Sequence, residues 1–150
     1  MKIVLQKVKK ASVSVDEKIV GTIGKGYCLL VGVHKGSTKE DAKYLAKKIA
    51  EAQLFEDKNE KLNLGLKDVG GSILSVSQFT LYADTKKGKR PSFTNAATAE
   101  KAKELYEVFN GYLREEGVNV ETGIFQTMME VNIVNDGPVT IIYEKLSAGN

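Results

Sequence analysis

The residues best suited to chemistry in this chain are few and mostly uncharged. Ser77-Gln78-Phe79-Thr80 sets two hydroxyls and an amide into an otherwise apolar stretch, where buried polar groups need hydrogen-bond partners. By pattern alone the same four residues also fit a half-exposed strand, with Ser77 and Phe79 on one face and Gln78 and Thr80 on the other. Asn135-Asp136-Gly137-Pro138 interrupts the strand-like VNIVNDGPVTIIYE. Proline has no N–H for a sheet ladder and glycine forfeits packing, so the pair either turns the chain between two strands or does something a continuous ladder could not. A third group, Lys86, Lys87, Lys89 and Arg90 around Gly88, reads as an anion-contacting loop or a solvated loop tip.

Other chemistries find little support. The sole histidine, His34, cannot build a multi-histidine metal site, and no G-x-S-x-G elbow accompanies it, so zinc and a Ser-His-Asp triad are set aside. Gly24-Lys25-Gly26 lies between strands and opens no helix, which leaves neither a Walker A motif nor a dinucleotide fingerprint. No metal or cofactor is expected. The one cysteine, Cys28, sits in YCLLVGV and reads as a buried, inert thiol. An enzyme of this composition must work by positioning and by hydrogen-bond donors, backbone ones included, placed where charge develops.

The elements that must carry these residues follow from periodicity. IVLQKV, ASVSV, KIVGTI and YCLLVGV are short Val- and Ile-rich runs separated by Lys-Lys, Asp-Glu and Gly-Lys-Gly, as in an antiparallel meander. Ser37-Thr38-Lys39-Glu40 has capping-box spacing, and Ala42, Leu45, Ala46, Ile49, Ala50 and Leu54 give a helix with one apolar face, ending near Phe55-Glu56. DKNEKLNLGLKDVGG reads as turn and loop before the strand SILSVSQFTLYA. Thr98 caps a second helix, with Ala99, Ala102, Leu105, Tyr106, Phe109 and Leu113 on one face and its end at Gly117; strands return from Val118. The expected fold is α+β: one domain over 1–150, a mostly antiparallel curved sheet or β-barrel with two packed helices. With 42% apolar and 27% charged residues, apolar runs too short to span a bilayer and no signal peptide, the chain is expected in the cytosol with no membrane partner. Net charge is +3, and without the four loop cations 18 basic residues face 19 acidic ones, so the positive excess is local.

Taken together, Ser77-Gln78-Phe79-Thr80-Leu81, Gly88-Lys89-Arg90-Pro91-Ser92-Phe93 and Asn135-Asp136-Gly137-Pro138-Val139-Thr140 resemble the signature of the D-aminoacyl-tRNA deacylases. The likeness runs from the opening IVLQKV-x-x-ASV through Thr122-Gly123-x-Phe125 to the last strand. It implies hydrolysis of the ester joining a D-amino acid, or mischarged glycine, to the 3′-terminal adenosine of tRNA, by a homodimer. It also implies that Gly137-Pro138 forms a cis peptide reaching into the other subunit's site. There its carbonyls would hold the substrate's α-amino group and leave no room for an L side chain, a selection by exclusion.

The same resemblance assigns roles. Ser77, Gln78, Phe79 and Thr80 line the pocket, the Phe79 N–H faces the developing oxyanion, and a second N–H comes from near Ala102 at the start of the second helix. Phe125 belongs to the substrate pocket, and Lys86, Lys87, Lys89 and Arg90 meet tRNA phosphates. Thr80 is the nucleophile that side-chain chemistry would choose, but it has no adjacent base, which favours water, and the resemblance implies that the substrate's ribose 2′-OH aids it. Three positions depart from the family pattern. Lys7 stands for an arginine that braces the Gly-Pro loop, and lysine lacks its planar fork; Gln126-Thr127 replaces small residues at the pocket floor. The alternatives are a non-enzymatic nucleic-acid-binding dimer and a hydrolase of free D-amino acid esters or peptides.

Overall fold

The computed structural model describes residues 1–147. IVLQKV and ASVSV form one strand, β1 (Lys2–Val15), not two. The Lys9-Lys10 pair is exposed yet extended, and a register shift between Val8 and Lys10 absorbs the irregularity without ending the strand. One edge of β1 pairs antiparallel first with β3 (Gly26–Gly32) and then with β2 (Lys18–Ile23), so β3 lies beside β1 instead of continuing a meander past β2. Its other edge pairs with β8 (Glu130–Glu144) almost end to end.

Beyond β3 the sheet is parallel. β6 (Ser72–Ser77) pairs with β3, and β7 (Val120–Thr122) with β6, giving the order β2-β1-β3-β6-β7 with β8 on β1. The helices decide this: α1 (Lys39–Glu51) connects β3 to β6 and α2 (Ala99–Glu115) connects β6 to β7, and a helical crossover returns the chain in the direction it left. The fold is thus the expected α+β one, a curved mixed sheet with two helices. It is nearly closed where β2 approaches β7: a Cβ at Gly21 would lie 2.8 Å from the Thr122 carbonyl oxygen.

Alternation along the strands builds two apolar layers. Ile3, Leu5, Tyr27, Leu29, Val31 and Ile73 face the helices and meet Leu45, Ile49, Leu105, Phe109 and Leu113. Val8, Val13, Cys28, Leu74 and Val76 pack on the other side, inside the curve. Burial there pushes the Cys28 thiol up to about 12, so it stays protonated. Among the described residues no helix is long and apolar enough to cross a membrane.

Three local readings shift. The capping box of α1 is Thr38 with Asp41, one residue later than expected, because Ser37 Oγ is taken up by the Met1 α-amino group and the His34 N–H, each at 3.0 Å. The helix stops at Glu51, and Phe55–Glu56 (β4) instead pairs with Leu62–Leu64 (β5), a small hairpin within what reads as loop. The segment after Ser77 leaves the sheet as a 3-10 turn, Phe79–Tyr82. That turn folds over the end of β3 at Gly32, where a Cβ would come within 2.9 Å of Leu81 Cβ. In the second helix, Thr98 is the N-cap as expected, and Gly117 takes φ +86° just past the C-cap.

Candidate active site

Where β3 and β6 end, the first turn of α2 and the segment from Phe125 to Val131 enclose a cavity of about 600 Å³. Ser77, Gln78 and Phe79 form one wall, Ala97, Ala99 and Ala102 another, and Phe125 with Met129 a third. The lining is mostly apolar, and none of its side chains titrates near neutral pH: it holds no Asp, Glu, His, Lys, Arg, Cys or Tyr.

Its side-chain donors are therefore neutral, the Ser77 and Thr127 hydroxyls and the Gln78 and Gln126 amides, and backbone N–H groups add to them. Gln78 N–H is spent on the Val31 carbonyl at 2.8 Å, which ties the end of β6 to β3. Phe79 begins the 3-10 turn, and its N–H has no acceptor among the described residues. At the opposite wall, the expectation for Ala102 needs correction. It lines the cavity, but its N–H donates to the Thr98 carbonyl at 2.8 Å, and the Lys101 N–H to Thr98 Oγ1 at 3.3 Å. The first-turn amides without an acceptor among the described residues are those of Ala99 and Glu100, as the geometry of a helix start requires.

Thr80 also departs from expectation. It is exposed and is not part of the cavity lining, and its Oγ1 accepts a hydrogen bond from the Gln78 amide. His34 lies outside the lining. Its Nδ1 accepts the Gly36 N–H at 2.8 Å and its ring meets Tyr82 edge-on. Burial, with the nearby N-terminus and Lys35, holds its pKa below the usual histidine value. It is structural.

Gly137 and Pro138 lie elsewhere, in a second concavity of about 460 Å³ shared with Lys7, Lys25 and Phe55. Their peptide bond is cis. Pairing of β8 with β1 jumps from Gln6↔Thr140 to Val8↔Asn135, so Asp136 to Val139 stand out of the ladder opposite Lys7. Asn135 closes the gap: its Nδ2 donates to the Lys7 carbonyl at 2.9 Å and the Val139 carbonyl at 3.0 Å. The Lys7 ammonium lies over the Phe55 ring at 5.1 Å, so the residue supports this excursion through its backbone. Within one chain, the excursion and the cavity holding Ser77, Gln78 and Phe79 share no lining residue.

The basic residues sit between the two helical pieces. Asp84 and Ser92 exchange backbone hydrogen bonds at 2.7 and 2.8 Å, closing a loop that displays Lys86, Lys87, Lys89 and Arg90, all exposed.

Residues 4–144 match the family model described as D-Tyr-tRNA(Tyr) deacylase. The chain belongs to that family. The D-aminoacyl-tRNA deacylase of Staphylococcus carnosus (strain TM300) is 61% identical over 144 residues, covering 96% of this chain and 95% of that protein. That of Shouchella clausii (strain KSM-K16) is 56% identical over 144 residues, with 96% and 99% covered. A solved structure titled c-Myc DNA Unwinding Element Binding Protein is similar with a TM-score of 0.89 and 37% identity, covering 97% of this chain and 99% of that one. A probable eukaryotic D-amino acid tRNA deacylase shares the fold at a TM-score of 0.81 and 17% identity, with 95% and 97% covered.

Sequence reasoning about this deacylase-family site missed Ala97, Ala99, Met129 and the brace Asn135. Alanines and methionines look the same in a core as in a pocket wall, and carry no signal of their own. Asn135 had one, an amide at the point where a strand pattern breaks, but read alone it fits a turn.

Proposed function

We propose that this protein hydrolyses the ester between a D-amino acid and the 3′-terminal adenosine of tRNA, accepts mischarged glycyl-tRNA, and rejects L-aminoacyl esters. The observation that carries the reading is a cavity without titratable side chains, flanked by main-chain N–H groups with no acceptor among the described residues, in a chain of this deacylase family. Water adds to the ester carbonyl, and the Phe79 N–H with the first-turn amides of α2 receives the charge gathering on its oxygen. Collapse breaks the bond to ribose O3′, which takes the water's proton relayed through the neighbouring 2′-OH. The substrate thus supplies the proton path that the lining lacks.

The protein works as a homodimer in this reading. β8 is a fifteen-residue strand paired on one edge only among the described residues, none of its residues is buried, and Ile142 and Val134 are 65% and 41% exposed, an edge that calls for a partner. Gly137 and Pro138 of a second copy then reach the cavity that they do not meet in their own chain. In this reading their carbonyls fix the α-ammonium, and the wall beside them excludes an L side chain.

Substoichiometric protein should release D-tyrosine from D-Tyr-tRNA and spare L-Tyr-tRNA; equal turnover of both, or of neither, overturns the reading. The relative titled as a DNA-element binder gives a second reading some support, a nucleic-acid-binding dimer acting through the basic loop. That protein would show salt-sensitive association, log K falling against log salt, with no turnover.

A further inference from the structure

Beyond the cavity, the Phe79 and Phe93 rings lie 5.0 Å apart between centroids at 57°, and they are 57% and 37% exposed. Neither is needed to close a core. Phe79 belongs to the cavity wall, whereas Phe93 does not; it follows Ser92, whose backbone closes the loop of Lys86, Lys87, Lys89 and Arg90. The Phe93 carbonyl accepts the Ala96 N–H at 3.1 Å, which anchors the residue's backbone while its ring stays open to solvent. Cavity, aromatic pair and cation cluster thus follow one another across the surface.

A single-stranded nucleic acid end fits that order. Exposed aromatic rings stack bases regardless of sequence, and neighbouring lysines and arginines track the phosphates. We propose that Phe93, with the edge of Phe79, forms a stacking platform for the base of the penultimate nucleotide, a binding position outside the cavity that takes the terminal adenosine. The proposal rests on the deacylase reading and extends it by one nucleotide. Phe93 contributes to holding the RNA end and not to the chemical step.

The test compares D-tyrosyl esters of adenosine, of the dinucleotide CpA, and of the same dinucleotide with an abasic first position. Wild-type protein should hydrolyse the CpA ester with kcat/KM about tenfold above the adenosine ester, the size of one base–aromatic stack, and the abasic ester should lose that gain although it keeps the phosphate. Phe93→Ala should erase the gain and raise KM for D-Tyr-tRNA about tenfold with kcat unchanged, while Phe93→Tyr, which keeps the ring, restores both. Hydrolysis of the adenosine ester should be the same in all three proteins. The proposal is overturned if wild type treats CpA and abasic esters alike, or if Phe93→Ala harms the adenosine ester equally. Because the ester series uses wild type, it decides the matter even if Phe93→Ala folds poorly. A wild-type protein inactive on every ester and on D-Tyr-tRNA overturns the deacylase reading itself.

Discussion

At Thr80 side-chain chemistry and surroundings disagree. A hydroxyl beside a candidate site invites the role of nucleophile, yet this one accepts a hydrogen bond from Gln78, and its residue stands outside the cavity lining. A hydroxyl becomes a nucleophile by giving up its proton to a base, and none of the lining side chains is one. Thr80→Ala should therefore keep most of the wild-type kcat on D-Tyr-tRNA, within about threefold, whereas loss of the covalent nucleophile would cost about 10⁴-fold or more. Single-turnover deacylation, with circular dichroism as a check on folding, separates the two. The nucleophile question was half legible from sequence: the absence of a nearby base showed, but not where the hydroxyl would point.

At the scale of elements, β8 is interrupted because β1 has only Lys7 to set against Asp136 to Val139. The excess chain leaves the ladder, and Asn135 spans the gap with one amide group bonded to both sides. Gly137 holds φ +117°, and a Cβ there would lie 2.8 Å from Val139 Cγ2. Gly137→Ala should cost about 1–3 kcal/mol in urea denaturation and reduce D-Tyr-tRNA hydrolysis more than it reduces the fraction folded. A variant of unchanged stability and activity would show that the excursion tolerates displacement and does not serve the site. Helix α2 was read correctly because Thr98 and Gly117 are local signals, obeyed wherever the helix docks. The box of α1 was read one residue early because Ser37 and Thr38 compete for the cap, and the choice falls to the chain's own N-terminus, far away in sequence.

At the scale of the molecule, that N-terminus links stability to pH. The Met1 α-amino group donates to Ser37 Oγ and to the Lys145 carbonyl at 2.7 Å, and burial pushes its pKa down from 8.0 to about 6. A lowered amine pKa means that the fold favours the neutral form. Its contribution is whole above pH 8 and is lost as pH falls through 6; allowing for partial solvation it is about 1–2 kcal/mol. His34, also lowered, acts in the same direction below its usual value, while Asp41, held low by hydrogen bonds from Ser147 and the Thr38 N–H against the opposing effect of burial, matters only in stronger acid. Urea midpoints should therefore drop between pH 8 and pH 6, and residues added before Met1 should flatten that change while lowering stability at pH 8; an unchanged midpoint would mean a solvated amine. Assembly is tested at the same scale. On the proposed dimer, Ile142→Lys, on the exposed face of β8, should give monomers by sedimentation and lower kcat/KM on D-Tyr-tRNA by about 100-fold or more, because the proposed site takes Gly137-Pro138 from a second copy. An active monomer would remove the shared site.

What depends on near neighbours was legible in the residues alone. Periodicity gave the two helices and most strands, the basic cluster read directly as charge, and the motifs at Ser77 to Thr80 and Asn135 to Pro138 carried the family likeness. It took long-range packing to settle that β1 runs unbroken past its lysine pair, that the chain leaves the sheet after Ser77, and that Ala102 spends its amide inside α2 while those of Ala99 and Glu100 find no acceptor among the described residues. The physical reason is common to these cases. Which backbone groups remain unpaired depends on where every other donor and acceptor in the folded chain has found its partner, and that sum runs over contacts distant in sequence.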